Sequence, residues 1–162
     1  MFNIFQKNLI ITMIFIASLI SLTSYAQGTI PKNIENKQFV KKVFANAIEN
    51  LHANEEMYAK YFSKNYIQYT DGKTLNYSDF VAHLKAKKAA IKSEHVTFKY
   101  MVAEGDKVAT IHEYDAIKKD GGRIKVEFHA MFQIKDNKII LCHELTRLIE
   151  GEKSDADIGS RH

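Results

Sequence analysis

One cysteine is all the chain has: Cys142, among 162 residues. A single thiol makes no intrachain disulfide and builds no cysteine-based zinc site. Cys142 lies in an apolar, strand-like run, so it reads as a packed, buried thiol; nothing activating adjoins it except His143, on the other face of the same strand. Proline is equally scarce, with Pro31 alone, in a short linker over residues 27–36. Nor is there much excess of either charge. The formal net charge is +4, one unit of which is Lys7, and so slight a balance leaves no footprint for nucleic acid. Lys85, Lys87, Lys88 and Lys92 do cluster, but on one predicted helix, where they read as its solvated face. No internal repeat or low-complexity stretch is evident.

The one long apolar run is Leu9 to Leu22, preceded by Lys7 with no acidic residue nearby and followed by Ser24-Tyr25-Ala26. A basic start, an apolar centre and a small-x-small ending are the marks of a secretory signal peptide. The run is shorter than the roughly 20 residues that span hydrocarbon comfortably. Residues 1–26 are therefore expected to be cleaved after Ala26, leaving a periplasmic or secreted protein with no stable membrane insertion. No cysteine follows the cleavage point, which argues against a lipoprotein. The remainder is one domain by size.

Phe39, Val40, Val43, Phe44, Ala47, Ile48 and Leu51 recur at steps of one, three and four and predict an amphipathic helix. Asn54 reads as the N-cap of a second, with Glu55 and Glu56 suited to its first turn and Tyr58, Tyr61 and Phe62 on its buried side. Tyr66 to Tyr69 is a short strand ending at the turn pair Asp71-Gly72. Asn76 to Asp79 offers caps for a third helix with Phe80, Leu84, Ala86 and Ile91 on its apolar side. From Val96 onward the rhythm becomes period two, with turns at Gly105-Asp106, Asp120-Gly121-Gly122 and Asp136-Asn137. Four antiparallel strands in a meander are expected there. The plan is α+β: three N-terminal helices packed on a curved, mainly antiparallel sheet. The domain spans residues 37–150, and residues 151–162 form a polar tail, either mobile or tied down on the surface.

This order of elements resembles the nuclear transport factor 2-like superfamily, the cone-shaped α+β barrel of ketosteroid isomerases, scytalone dehydratases and SnoaL-like polyketide cyclases. Three segments carry the resemblance. Tyr61 to Gly72 is similar to the family's passage from second helix through a short strand to an acidic turn. Val102-Ala-Glu-Gly-Asp-Lys-Val-Ala109 looks like its "v-x-EGD-x-Va" hairpin. Phe132 to Ile139, with Glu144-Leu145-Thr146-Arg147-Leu148 after it, is similar to its closing "F-x-dGKI-x-x-x-x-e" hairpin. The resemblance implies a pocket between helices and concave sheet, a small-molecule ligand, a homodimer and no cofactor. It does not fix function, since enzymes and binding modules share this scaffold.

If Phe98, Tyr100, Phe128, Ala130 and Phe132 face the pocket, strand registration by the resemblance adds Thr110, His112 and Tyr114 on one neighbour and Leu141, His143, Leu145 and Arg147 on the other. The opposite parity puts Glu113, Asp115 and Glu144 inside, and three carboxylates without cations are costly to bury. Asp71 stands where the isomerases carry their general base; it is also half of a common turn pair, and the alternative is that it only caps that turn. The isomerases' oxyanion pair is replaced by apolar residues, Phe44 or its neighbours and Ala130. His112 and His143 are the candidate imidazoles, but Arg147 stands near where the cyclases' late-strand acid is expected. The candidate catalytic set is thus Asp71, His112 and His143, and the candidate ligand-binding set Tyr69, Tyr100, Tyr114, Phe128, Phe132 and Arg147, with an anionic head group held by His143 and Arg147. No metal site is expected, because alternation separates His129 from the other two histidines. The leading reading is an exported binder of a small apolar ligand with a polar or anionic head. The alternatives are a lyase or isomerase with Asp71 or a pocket histidine as base, and an interaction module with a filled cone.

Overall fold

The computed structural model describes residues 30–160; the expected signal peptide lies outside them. Helix α1, Lys32–Val43, buries Asn36, Val40 and Val43 along one stripe. It runs on into one wide π turn, Phe44–Ile48, which keeps Phe44 and Ala47 inside. Helix α2, Glu55–Tyr61, starts at Asn54, whose side chain accepts from the Met57 N–H. Helix α3, Tyr77–Ala90, starts with a reciprocal capping box between Asn76 and Asp79. Both caps stand where the sequence placed them.

The strands are β1, Phe62–Thr70; β2, Lys73–Asn76; β3, Ile91–Glu104; β4, Lys107–Lys118; β5, Arg123–Lys135; and β6, Lys138–Glu150. They form one open mixed sheet in the order β2-β1-β6-β5-β4-β3. β3 to β6 are the expected meander, and β1 joins β6 in parallel. β1 is longer than the sequence suggested, and β2 is an addition: Asp71 and Gly72, both at positive φ, close a two-residue hairpin between them. The helices lie on one face of the sheet, and the core of Phe, Tyr, Val and Ile side chains lies between.

Two bulges decide which residues face that core. Phe98 pairs with His112, but Tyr100 pairs with Ile111, so Lys99 is one extra residue on β3. Ile134 pairs with Ile139, but Gln133 pairs with Leu141, which makes Ile140 the extra residue on β6. An extra residue exchanges the two faces of everything beyond it. Unbroken alternation from Val96 and from Ile139 puts Tyr100, Leu141, His143, Leu145 and Arg147 inside, as expected above; the bulges turn them out and bring in Met101, Ala103, Cys142 and Glu144.

Two further expectations change. Lys87 and Lys88 do not belong to a solvated face. Lys87 is buried, its Nζ 2.6 Å from Glu94 Oε2, while Lys88 Nζ donates to the carbonyls of Ala47 and Asn50 at the end of the first helix. The polar tail is docked: a 3₁₀ turn at Lys153–Asp157 is followed by buried Ile158 and Ser160. Asp155 anchors it, accepting from Lys118 Nζ at 3.3 Å and from the Glu152 N–H.

Candidate functional site

Between helices and sheet lies an internal cavity of about 80 Å³. Its walls are mostly apolar, with Phe44 from the first helix, Phe80 and Leu84 from α3, and Phe128 and Phe132 from β5. On β5, Ala130 pairs with Thr110 on β4 and Glu144 on β6, between Phe128 and Phe132, which line the cavity.

The polar end of the cavity is built by β1 and β6. Tyr66 donates its hydroxyl to Gln68 Oε1 at 3.0 Å, and Gln68 Nε2 donates to Glu144 Oε1 at 2.7 Å and to the Gly159 carbonyl at 3.2 Å. Cys142 Sγ approaches Glu144 Oε2 at 3.7 Å. No cation takes part in these contacts. Burial therefore raises the Glu144 carboxyl from its ordinary 4.5 to about 7, against hydrogen bonds from Thr70 and Gln68, and the charge of Asp71 adds to the rise. Burial, with Glu144 nearby, also drives the Cys142 thiol well above its usual range, which keeps it protonated and unreactive.

His112 faces the same cavity from β4. Its ring stacks on Phe128 at 5.1 Å and meets the edges of Phe44 and Phe98, and Nδ1 lies 2.9 Å from Thr110 Oγ1. Burial lowers its pKa to about 4, helped by the charge of His129, so the imidazole is neutral at pH 7. Lys87, from α3, also lines the cavity and lies over the Tyr114 ring at 5.1 Å. Burial lowers the Lys87 ammonium even though Glu94 opposes the shift.

The expected residues thus divide. His112, Tyr114, Phe128 and Phe132 line the cavity. Tyr69 and His143 stack on each other along an outer groove, centroids 4.6 Å apart, and Tyr100 lines the same groove, 69% exposed. Arg147 is also outside, its Nη2 3.1 Å from Glu127. Asp71 is at the hairpin turn, and its carboxylate accepts from both the N–H and the hydroxyl of Thr146. Asp71 thus ties the hairpin turn to β6 and does not line the cavity. His129 shares the outer face with His143, opposite His112, so the three imidazoles do not converge.

Glu144, Gln68 and Gly159 are the functional candidates that sequence reasoning passed over. The acid of the closing hairpin pattern is a signal for Glu144; the cost of burying Glu113, Asp115 and Glu144 together argues against it only while strand alternation is taken as unbroken. The outer groove is larger, about 760 Å³, but it is broad and open. Glu144 borders both, but the inner cavity is the narrower and is walled by aromatic side chains, which makes it the better place to hold a small molecule.

Comparison with known proteins places this geometry. The curated protein C11D3.04c of Schizosaccharomyces pombe (strain 972 / ATCC 24843), itself uncharacterized, is 29% identical over 126 residues, which is 78% of this chain and 96% of that protein. AclR from Streptomyces galilaeus shares the fold with a TM-score of 0.64 at 16% identity, over 80% of this chain and 87% of AclR. An LEH-like epoxide hydrolase of M. tuberculosis gives 0.59 at 16%, over 72% and 86% of the two chains. A proposed SnoaL-like polyketide cyclase from Jannaschia sp. CCS1 gives 0.58 at 13%, over 75% and 91%. Identities this low establish the architecture, the nuclear transport factor 2-like cone, and leave the chemistry to each site. The SnoaL-like domain profile matches residues 40–141, well over half of the sequence, and the chain belongs to the SnoaL-like domain family.

Proposed function

We propose that this domain binds a small molecule in the internal cavity, with an apolar body against Phe44, Phe128 and Phe132 and a polar head at Glu144 and Gln68. The observation that carries the reading is a carboxyl with a pKa of about 7 at one end of an otherwise apolar chamber. A head group there meets a hydrogen-bond donor when Glu144 is protonated and an acceptor when it is not. An anionic head at Glu144 finds no cation to support it, because Arg147 is outside and Lys87, which also lines the cavity, is paired with Glu94; a neutral, hydrogen-bonding head fits instead. The cavity is small, about 80 Å³, so the ligand is compact or the cavity widens to admit it.

A second reading has one observation in its favour. A carboxyl titrating near neutrality is tuned for general acid-base work, and neutral His112 faces the same space. Here Glu144, rather than Asp71, is the proton carrier of a cofactor-free isomerase, lyase or cyclase.

We further infer that the protein is exported, on the strength of Leu9–Leu22 and the Ser24-Tyr25-Ala26 ending. Pairing of two copies through the bare outer face of the sheet also belongs to this reading; Tyr100, Val102 and Leu145 expose apolar surface there.

Protein-observed NMR with a library of small ketones, amides and alcohols tests the reading. Binders are expected to shift the signals of Glu144, Gln68 and His112, and Glu144→Gln is expected to weaken them. Shifts confined to Tyr69, Tyr100 and His143 refute it. Turnover of any binder, lost in Glu144→Gln, selects the enzyme over the binding module.

A further inference from the structure

At the polar end of the cavity the last described residues of the chain form part of the wall. Ile158 and Gly159 both line the cavity, and Gly159 lies directly on the acid. A Cβ at that position would come within 2.9 Å of Thr70 Oγ1 and 3.1 Å of Glu144 Oε1, so the segment can approach this closely only because residue 159 has no side chain. A hydrogen bond from Gln68 Nε2 to the Gly159 carbonyl joins this tip to β1. Ile158 packs into the core beside it, and upstream Asp155 meets Lys118.

We propose that Asp155–Ser160 is a displaceable plug, with the Gly159 carbonyl occupying in cis the hydrogen-bonding position on Gln68 that a ligand's head group takes when the segment swings out. This rests on the reading of the internal cavity as the binding site. Two features single out this wall. It is made of a short 3₁₀ turn, Lys153–Asp157, and a further turn at residues 158–160 rather than of a strand, and it covers the very groups that recognise the head. A ligand larger than the closed cavity reaches Glu144 by displacing these few residues, with no strand of the sheet disturbed. The peptide carbonyl in the plug also suggests the ligand class, a compact ketone or carboxamide that accepts from Gln68 beside Glu144.

The lone thiol supplies a ligand-free test. Cys142 lines the same cavity next to Glu144, so its reaction with the small neutral disulfide 4,4′-dithiodipyridine reports opening of the plug. Gly159→Val, which drives a side chain into Thr70 and Glu144, and Asp155→Asn, which loosens the anchor without adding bulk, are each expected to speed Cys142 modification at least about tenfold. The acceleration should be nearly independent of urea below the unfolding transition, as for local rather than global opening. Hydrogen exchange at residues 155–160 is expected to be faster than in β6 in the unaltered protein. The proposal is overturned if Cys142 stays equally protected in both variants while exchange shows the segment released, or if its reactivity follows global unfolding alone. Binding of a small ketone or amide is measured separately. Plug opening without binding defeats the ligand reading and leaves the plug, whereas equal binding in all three proteins with unchanged thiol protection defeats the plug and leaves the ligand reading.

Discussion

Replacing Glu144 with glutamine should change how stability depends on pH more than it changes stability itself. The substitution keeps shape and leaves an oxygen to accept from Gln68, but it removes a proton that the folded protein holds up to about pH 7 and the unfolded chain releases near 4.5. A carboxyl raised in this way contributes its stability fully below 4.5 and loses it as the pH climbs through 7, and the gap corresponds to about 3 kcal/mol. His112 works in the opposite sense. Its pKa falls from 6.5 to about 4 on folding, so its contribution is full above 6.5 and is lost as the pH falls through 4, again by about 3 kcal/mol. Between pH 4.5 and 6.5 the two slopes nearly cancel, and the unaltered protein is expected to show a flat profile. Glu144→Gln should unmask the histidine: close to the parent at pH 4.5, and more stable by about 3 kcal/mol, roughly 10 °C in Tm, at pH 8. Urea denaturation of both proteins at four pH values from 4.5 to 8 measures it. Parallel stability curves across that range refute the reasoning, because they mean that Glu144 titrates as a solvated carboxyl.

Lys87→Met is expected to cost about 3–5 kcal/mol in urea unfolding, since it strands Glu94 inside the protein. Lys87→Met with Glu94→Gln should recover most of that loss, and a double variant as weak as the single shows that the pair is not what Lys87 contributes. Leu145→Glu on the outer face is expected to turn a dimer into a monomer in size-exclusion chromatography with light scattering; an unchanged mass places the dimer interface elsewhere.

Much of this fold could be read from the chain because its signals are local. Asn54, and Asn76 with Asp79, satisfy backbone groups within a single turn, and the alternation of Ile124 to Ile134 needs only neighbouring residues. What could not be read depends on partners distant in sequence. Ser63-Lys64-Asn65 reads as loop because nothing in it shows that β1 will lie parallel to β6. Lys87 reads as solvated because Glu94 becomes its partner only once α3 has turned into β3. The site suffered most. Each bulge is a single residue, Lys99 or Ile140, ordinary in composition, yet together they moved Tyr100, His143 and Arg147 out of the expected pocket and Glu144 into it. The docked tail was hidden for a related reason, since its polar residues find their contacts on Lys118 and Gln68, far away along the chain.

The bulge at Ile140 also bears on how sites diverge on this scaffold. Smoothing that bulge with every residue kept, so that Ile140 rather than Leu141 pairs with Gln133, reverses β6 beyond it, exchanging a thiol and an acid for Leu141 and an imidazole, His143, and setting Leu145 and Arg147 where Thr146 and Leu148 had been. One smoothed bulge thereby exchanges an acidic group for a basic one without altering a single side chain. Two relatives with nearly the same sequence can thus present unlike chemistry to their ligands, and a comparison that aligns them without allowing for that shift of register matches residues on opposite faces of the strand.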